Sequence, residues 1–293
     1  MAAAPPRKER FNTVPFRAQS GRERGSYMKT LELERDGGVE RVTLDRPDKL
    51  NALNRTMVDE LRDYFRGLSD RPEVRVVVLQ ANGRAFCAGL DLAPEGREEK
   101  GVGTNGPHQG LAWQRRIAEI YMAMRYCPQP IISLVNGAAC GGGFSLALAS
   151  DIRIASESAR MNCAYIRIGL GGCDMASSYF LPRLVGASLA SELILTGKFI
   201  DAQRAHALGL VSKVVPDAEL RSAADEDIDL MLTTNPLGLR MSKEAMRMNF
   251  DAPSLEHAIA LEDRQQILLS QTEDAKEAGR AFFEKRRPNW KDA

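Results

Sequence analysis

The stretch Val135 to Ser145, VNGAACGGGFS, constrains this chain more than any other. Three consecutive glycines, Gly141, Gly142 and Gly143, lose more conformational freedom on folding than other residues do. They are expected where side chains are excluded and a strand or a ligand must approach closely. The apolar run Phe144 to Ala149 that follows predicts a helix. Free amides at the start of such a helix carry partial positive charge, which stabilises an anion or a developing oxyanion. The same residues also suit a tight strand-to-helix turn with no chemical role.

The segments on either side alternate between strand and helix signals. Leu31, Leu33, Val39, Val42 and Leu44 predict a hairpin turned at Asp36-Gly37-Gly38. Asn54 is placed to cap a helix carrying Met57, Val58, Leu61, Tyr64, Phe65 and Leu68 at helical spacing. Val74 to Leu79 and Ile131 to Val135 read as buried strands, with a helix through Trp113, Ile117, Ile120, Tyr121 and Met124 between them. A loop of Gly, Pro and charge, Pro94 to Gly110, has the character of a lid or binding loop. Strand Asp151 to Ala155 and an extended piece, Met161 to Ile168, complete an order that predicts an α/β core. From Ala176 the pattern is almost entirely helical, with Gly186, Gly197 and Gly209 where helix C-termini want them, a short strand at Leu210 to Val215, and helices at Ala218 to Leu232, Pro236 to Asn249, Ser254 to Leu269 and Thr272 to Lys285. Three regions follow: a tail over 1–27, a core over 28–200 and a helical region over 201–293.

Charge excludes some functions. With 40 basic and 39 acidic residues the chain is nearly neutral, and nothing global points to nucleic acid or an acidic membrane surface. The glycines lack the Lys-Ser/Thr that follows a phosphate loop. No apolar run reaches the roughly 18 to 20 residues that span a bilayer. Five cysteines without paired metal spacing fit a reduced, cytoplasmic protein. Residues 1–27, rich in Arg and Pro, read as a disordered tail, as a transit peptide opposed by Glu9 and Glu23, or as sequence upstream of a start at Met28.

Taken together, Asp45-Arg46-Pro47 with Asn51-Ala52-Leu53-Asn54, Arg84-Ala85-Phe86-Cys87-Ala88-Gly89-Leu90-Asp91, Asn136 to Gly143, Asp151-Ile152-Arg153, Leu181 to Gly186 with Leu195-Thr196-Gly197, and Phe283 to Pro288 resemble, in order, the enoyl-CoA hydratase/isomerase (crotonase) superfamily. The resemblance runs from Met28 to Ala293. It implies a spiral of ββα units with a C-terminal helical trimerisation region, a homotrimer or dimer of trimers, and acyl-CoA substrates in fatty-acid or related metabolism. Coenzyme A is then part of the substrate, with no separate cofactor and no metal. By position, the amides of Leu90 and Gly142 would form the oxyanion hole for the thioester carbonyl. Lys49, Asn51, Ala52 and Leu53, with Arg84, Phe86 and Ala88, would line the coenzyme, Arg84 near a phosphate. Lys285 is a further candidate, or a solvated member of its charge run.

Hydratases of the superfamily use two glutamates, and the corresponding positions are Ser145 and Tyr165. A serine hydroxyl or an ordinary phenol is a poor general base near neutrality, which sets the usual hydratase mechanism in doubt. Asp174, before the helix starting near Ala176, can be an acid/base group or a plain helix N-cap. Tyr165 can donate a proton or wall the acyl pocket. Cys173 would need a base beside it, and no motif links His108, His206 or His257 to it. Asp151 and Arg153 are expected to pair beneath the glycine turn. The open readings are an acyl-CoA lyase or isomerase, a thioester hydrolase or other chemistry of the superfamily, and an acyl-CoA-binding pseudoenzyme.

Overall fold

The computed structural model describes residues 23–24, 28–92 and 106–292. Its frame is a seven-stranded sheet, built from β1 (Glu23–Arg24), β2 (Leu31–Asp36), β3 (Val39–Leu44), β4 (Val76–Ala81), β6 (Ile131–Val135), β8 (Ile152–Ser156) and β11 (Lys213–Val215) in that spatial order. β2 and β3 form the expected hairpin, with Asp36 opposite Val39 across Gly37-Gly38. From β3 onward the sheet is parallel. Alternation across the strands sends Val77 and Leu79 into one apolar cluster and Val76 and Val78 into another on the opposite face.

A second sheet of very short strands lies beside the first: β5 (Ala85–Cys87), β7 (Ala138–Cys140), β9 (Arg160–Asn162) and β10 (Ile200–Asp201), in the order β10-β9-β7-β5. The chain repeats one step, a strand for the large sheet, then a strand for the small one, then a helix. β4 and β5 lead to α2 (Gly106–Tyr126), and β6 and β7 lead to α3 (Gly142–Ala149). β8 and β9 lead to a 3-10 turn, Ala164–Ile168, in place of the extended piece expected up to Ile168. This is the spiral of ββα units that the resemblance implies. α1 (Arg55–Gly67) joins β3 to β4, is capped by Asn54 accepting from Met57 N at 3.0 Å, and buries Met57, Val58, Leu61, Tyr64 and Phe65.

Helices take over after the small sheet. α4 (Ser177–Thr196) is two helices broken at Gly186, whose φ of 77° and ψ of 162° are non-helical, and it ends at left-handed Gly197. α5 (Ala202–Ala207), α6 (Asp225–Leu232), α7 (Pro236–Asn249), α8 (Leu255–Ser270) and α9 (Glu273–Glu284) follow. The helix expected over Ala218 to Leu232 is a 3-10 turn, Asp217–Glu219, and the shorter α6. Of the tail, only Glu23 and Arg24 lie within the described residues, paired antiparallel with β2. Most of the loop expected over Pro94 to Gly110 lies outside them, and its last residues, with His108, already belong to α2. None of the described helices is long and apolar enough to cross a membrane.

One buried cation ties the helical region to the core. Lys243 of α7 donates to Met124 O (3.0 Å) and Gln129 O (2.7 Å) and pairs with Asp151 Oδ2 at 2.9 Å. Asp151 also holds Ile131 N and Arg125. Arg153 does not form the expected pair with it. Its guanidinium instead donates to the carbonyls of Leu210 and Ser150, a buried cation satisfied by backbone. Replacing Lys243 by Met is therefore expected to destabilise the fold by about 3 kcal/mol, since two buried carbonyls and a carboxylate lose their donor. Urea unfolding of the variant checks this, and a loss under about 1 kcal/mol would contradict it.

Candidate functional site

Two loops meet backbone to backbone at the end of the small sheet. A Cβ added at Gly89 would lie 2.7 Å from Cys140 O and 3.6 Å from Gly142 N, and one added at Gly143 would lie 2.2 Å from Cys87 O. Only glycine permits that approach. The loop after β5 is further held by Leu53, whose N donates to Gly89 O (2.8 Å) and whose O accepts from Asp91 N (3.1 Å). Arg46 clamps the outside, donating to Ala52 O and to Asp91 Oδ2. Among the described residues, neither Leu90 N nor Gly142 N donates to a carbonyl, so each of the two loops carries an amide with spare hydrogen-bonding capacity.

Tyr121 and Tyr165 enclose the glycine turn. The Tyr121 hydroxyl donates to Gly142 O at 3.0 Å, and the Tyr165 ring lies against Gly141, where an added Cβ would be 3.3 Å from it. Ser145 and Tyr165, the two positions singled out in the sequence, are hydrogen-bonded to each other at 2.9 Å, and both are buried. Burial pushes the phenol of Tyr165 well above its ordinary range, with the Ser145 hydrogen bond acting the other way. Burial raises Tyr121 likewise, and Asp174 adds to both. The pair is thus neutral near pH 7 and carries no base.

The carboxyl whose charge bears on both tyrosines is Asp174, which the structure removes from the N-cap role. α4 is capped at Ala176, without a side-chain hydrogen bond, because Met175 (φ 46°) and Ala176 (φ 63°) both turn left-handed and swing the helix start past the carboxylate. Asp174 Oδ1 instead accepts from Met175 N at 2.8 Å and from Gln114 Nε2. The group is half-buried, and burial raises its pKa above the ordinary aspartate value while those two donors pull the other way. Successive left-handed non-glycine residues store backbone strain, a feature that clusters at functional sites. The sequence reading missed Gln114. Its signal was a polar residue seven positions before Tyr121, on the stripe that buries Ile117 and Tyr121.

The residues expected to line a coenzyme divide into two groups. Asn51, Leu53 and Phe86 are fully buried, and Ala52 nearly so. The Asn51 amide is spent on Asn82 O and Ala85 O and its oxygen on Arg46 N, which makes it a clamp rather than an available side chain. Leu53 and Phe86 belong to the core, so these positions can offer a ligand backbone only. Lys49, Arg84 and Lys285 are exposed and Ala88 is half-buried. Arg84 edges a cleft of about 340 Å³ with Asn136, Ser158 and Arg221, while Lys285 ends α9 in a left-handed conformation.

Cys173 is exposed, His206 is hydrogen-bonded to Val211 O and His257 to Ser254, and His108 is exposed on α2. Among the described residues no group of three or more His, Cys, Asp or Glu is placed to hold a metal ion.

This architecture has many known counterparts. A family model described as enoyl-CoA hydratase/isomerase matches residues 34–293. A probable enoyl-CoA hydratase of Mycobacterium tuberculosis is 34% identical over 255 residues, covering 87% of this chain and 90% of that one. The 1,2-epoxyphenylacetyl-CoA isomerase of Escherichia coli is 32% identical over 253 residues, covering 86% and 95%. A crystal structure of enoyl-CoA hydratase from Bacillus anthracis superposes with a TM-score of 0.84 at 31% identity, covering 90% of this chain and all of that one. The chain therefore belongs to the enoyl-CoA hydratase/isomerase family, as an acyl-CoA enzyme of hydratase/isomerase type.

Proposed function

We propose that this enzyme isomerises an acyl-CoA thioester by moving a proton between carbons of the acyl chain, rather than adding water across a double bond. The observation that carries the reading is the Ser145–Tyr165 hydrogen bond, a neutral buried pair where a hydratase of the family would place its two glutamates, with Asp174 the carboxyl whose charge bears on Tyr165. Water addition needs a base that holds and deprotonates water, and neither hydroxyl supplies one. Proton transfer between two carbons needs one carboxyl that takes the proton and returns it.

In this mechanism the thioester oxygen accepts hydrogen bonds from Leu90 N and Gly142 N. Removal of a proton from C2 shifts charge onto that oxygen, and the two preorganised amides hold it without reorganising. Asp174, ionised, takes the proton. Returning it to another carbon of the same acyl chain completes the isomerisation with no net loss or gain of atoms. Tyr121 keeps the Gly142 peptide in place, and Tyr165 with Ser145 forms a wall against bulk water. The exposed Lys49, Arg84 and Lys285 suit the phosphates of coenzyme A, which is part of the substrate. A homotrimer or a dimer of trimers is the proposed assembly, on family grounds.

Three outcomes are expected. Asp174→Asn should lower deuterium exchange at C2 of butyryl-CoA in D2O by about 10²- to 10⁴-fold while acyl-CoA binding is retained, and exchange at the wild-type rate would remove Asp174 from the scheme. Because Asp174 must be ionised to act and burial raises its pKa, the rate should fall with decreasing pH through a midpoint above the ordinary aspartate value. A rate-against-pH profile reads that midpoint directly. Leu90→Ala should change kcat less than about 3-fold, since the amide survives the substitution; removing a true oxyanion donor costs roughly 10²- to 10³-fold.

A further inference from the structure

We propose that Gln114 is a positioning residue for the Asp174 carboxyl: it fixes one oxygen and leaves the other to carry the proton. The inference rests on the role of Asp174 given above. Gln114 Nε2 and Met175 N both donate to Oδ1, and among the described residues nothing donates to Oδ2. A carboxylate held by one oxygen in this way has a defined plane and a single oxygen available for transfer. The donors also favour the charged form against the burial that opposes it, which keeps the group usable as a base near neutrality.

The placement of Gln114 supports the assignment. It lies on α2 seven residues before Tyr121, which is within about 20° of the same helix face. Tyr121 donates from that face to Gly142 O. One helix therefore sets the distance between the carboxyl and the glycine turn that would hold the thioester oxygen. Ile117, between them, is fully buried, so a polar side chain at 114 stands at the edge of an apolar stripe with Asp174 as its partner. Strain at Met175 and Ala176 gives the loop a reason to relax if that partner is lost.

The test is deuterium exchange at C2 of butyryl-CoA, measured against pH, in Gln114→Met and Gln114→Glu beside Asp174→Asn. In Gln114→Met, which keeps the volume and loses the donor, kcat should fall about 10- to 100-fold with KM within about 2-fold. Its acid limb should move to higher pH, because a donor that favours the charged carboxylate is gone. A purely structural role would not move the acid limb. Where the Met variant fails to fold, the isosteric Gln114→Glu is read instead: its ionised carboxylate cannot donate, and it should show the same loss in kcat and the same direction of shift. Loss of exchange in Asp174→Asn with wild-type kcat and acid limb in both Gln114 variants overturns this inference and leaves the proposed function standing. Wild-type exchange in Asp174→Asn overturns the proposed function, and the inference with it.

Discussion

The close approach of Gly89 and Gly143 to the carbonyls of Cys140 and Cys87 is the constraint on which the site depends. A Cβ at either position would penetrate the opposite backbone, so the loop after β5 and the start of α3 can meet only because both lack one. The meeting is then enforced from outside by Leu53, by the Arg46 clamp on Ala52 and Asp91, and by the fully spent Asn51 amide. Asn51, Leu53 and Phe86, which sequence motifs mark as ligand-lining, are thus buried where they fix backbone. At those three positions a ligand would meet backbone rather than side chain.

Electrostatics around that backbone frame are sparse. Burial raises both Tyr121 and Tyr165, Ser145 has no charge to offer, and the two hydroxyls at the paired positions satisfy each other. A buried pair of this kind is stable because neither member is left unpartnered, and chemically quiet for the same reason. Asp174 is different, with a raised pKa, one oxygen held and one without a described partner. Those contrasts, more than fold likeness, are what support the proposed proton transfer over water addition.

Much of the fold was legible because its signals are local. The Asp36-Gly37-Gly38 hairpin, the Asn54 cap, β6 over Ile131–Val135, α7 over Pro236–Asn249 and the three glycine helix ends depend on neighbours a few residues away. Of the small sheet only β9 was legible, as the start of the extended piece expected from Met161. Strands of two or three residues such as β5, β7 and β10 are too short to show a period of 2, and β7 hides inside the glycine stretch itself. Partners distant in sequence were also invisible: Asp151 finds Lys243 rather than Arg153, and Asp174 finds Gln114 rather than the amides of α4. In both cases the residue type was informative and the partner was set by tertiary packing.

A crystal structure with an acyl-CoA bound tests the central claim most directly. The account predicts the thioester oxygen within about 2.7 to 3.1 Å of both Leu90 N and Gly142 N, with an Asp174 oxygen in hydrogen-bond reach of C2. A thioester oxygen turned away from those amides, or a C2 whose nearest ionisable group is not Asp174, would contradict it.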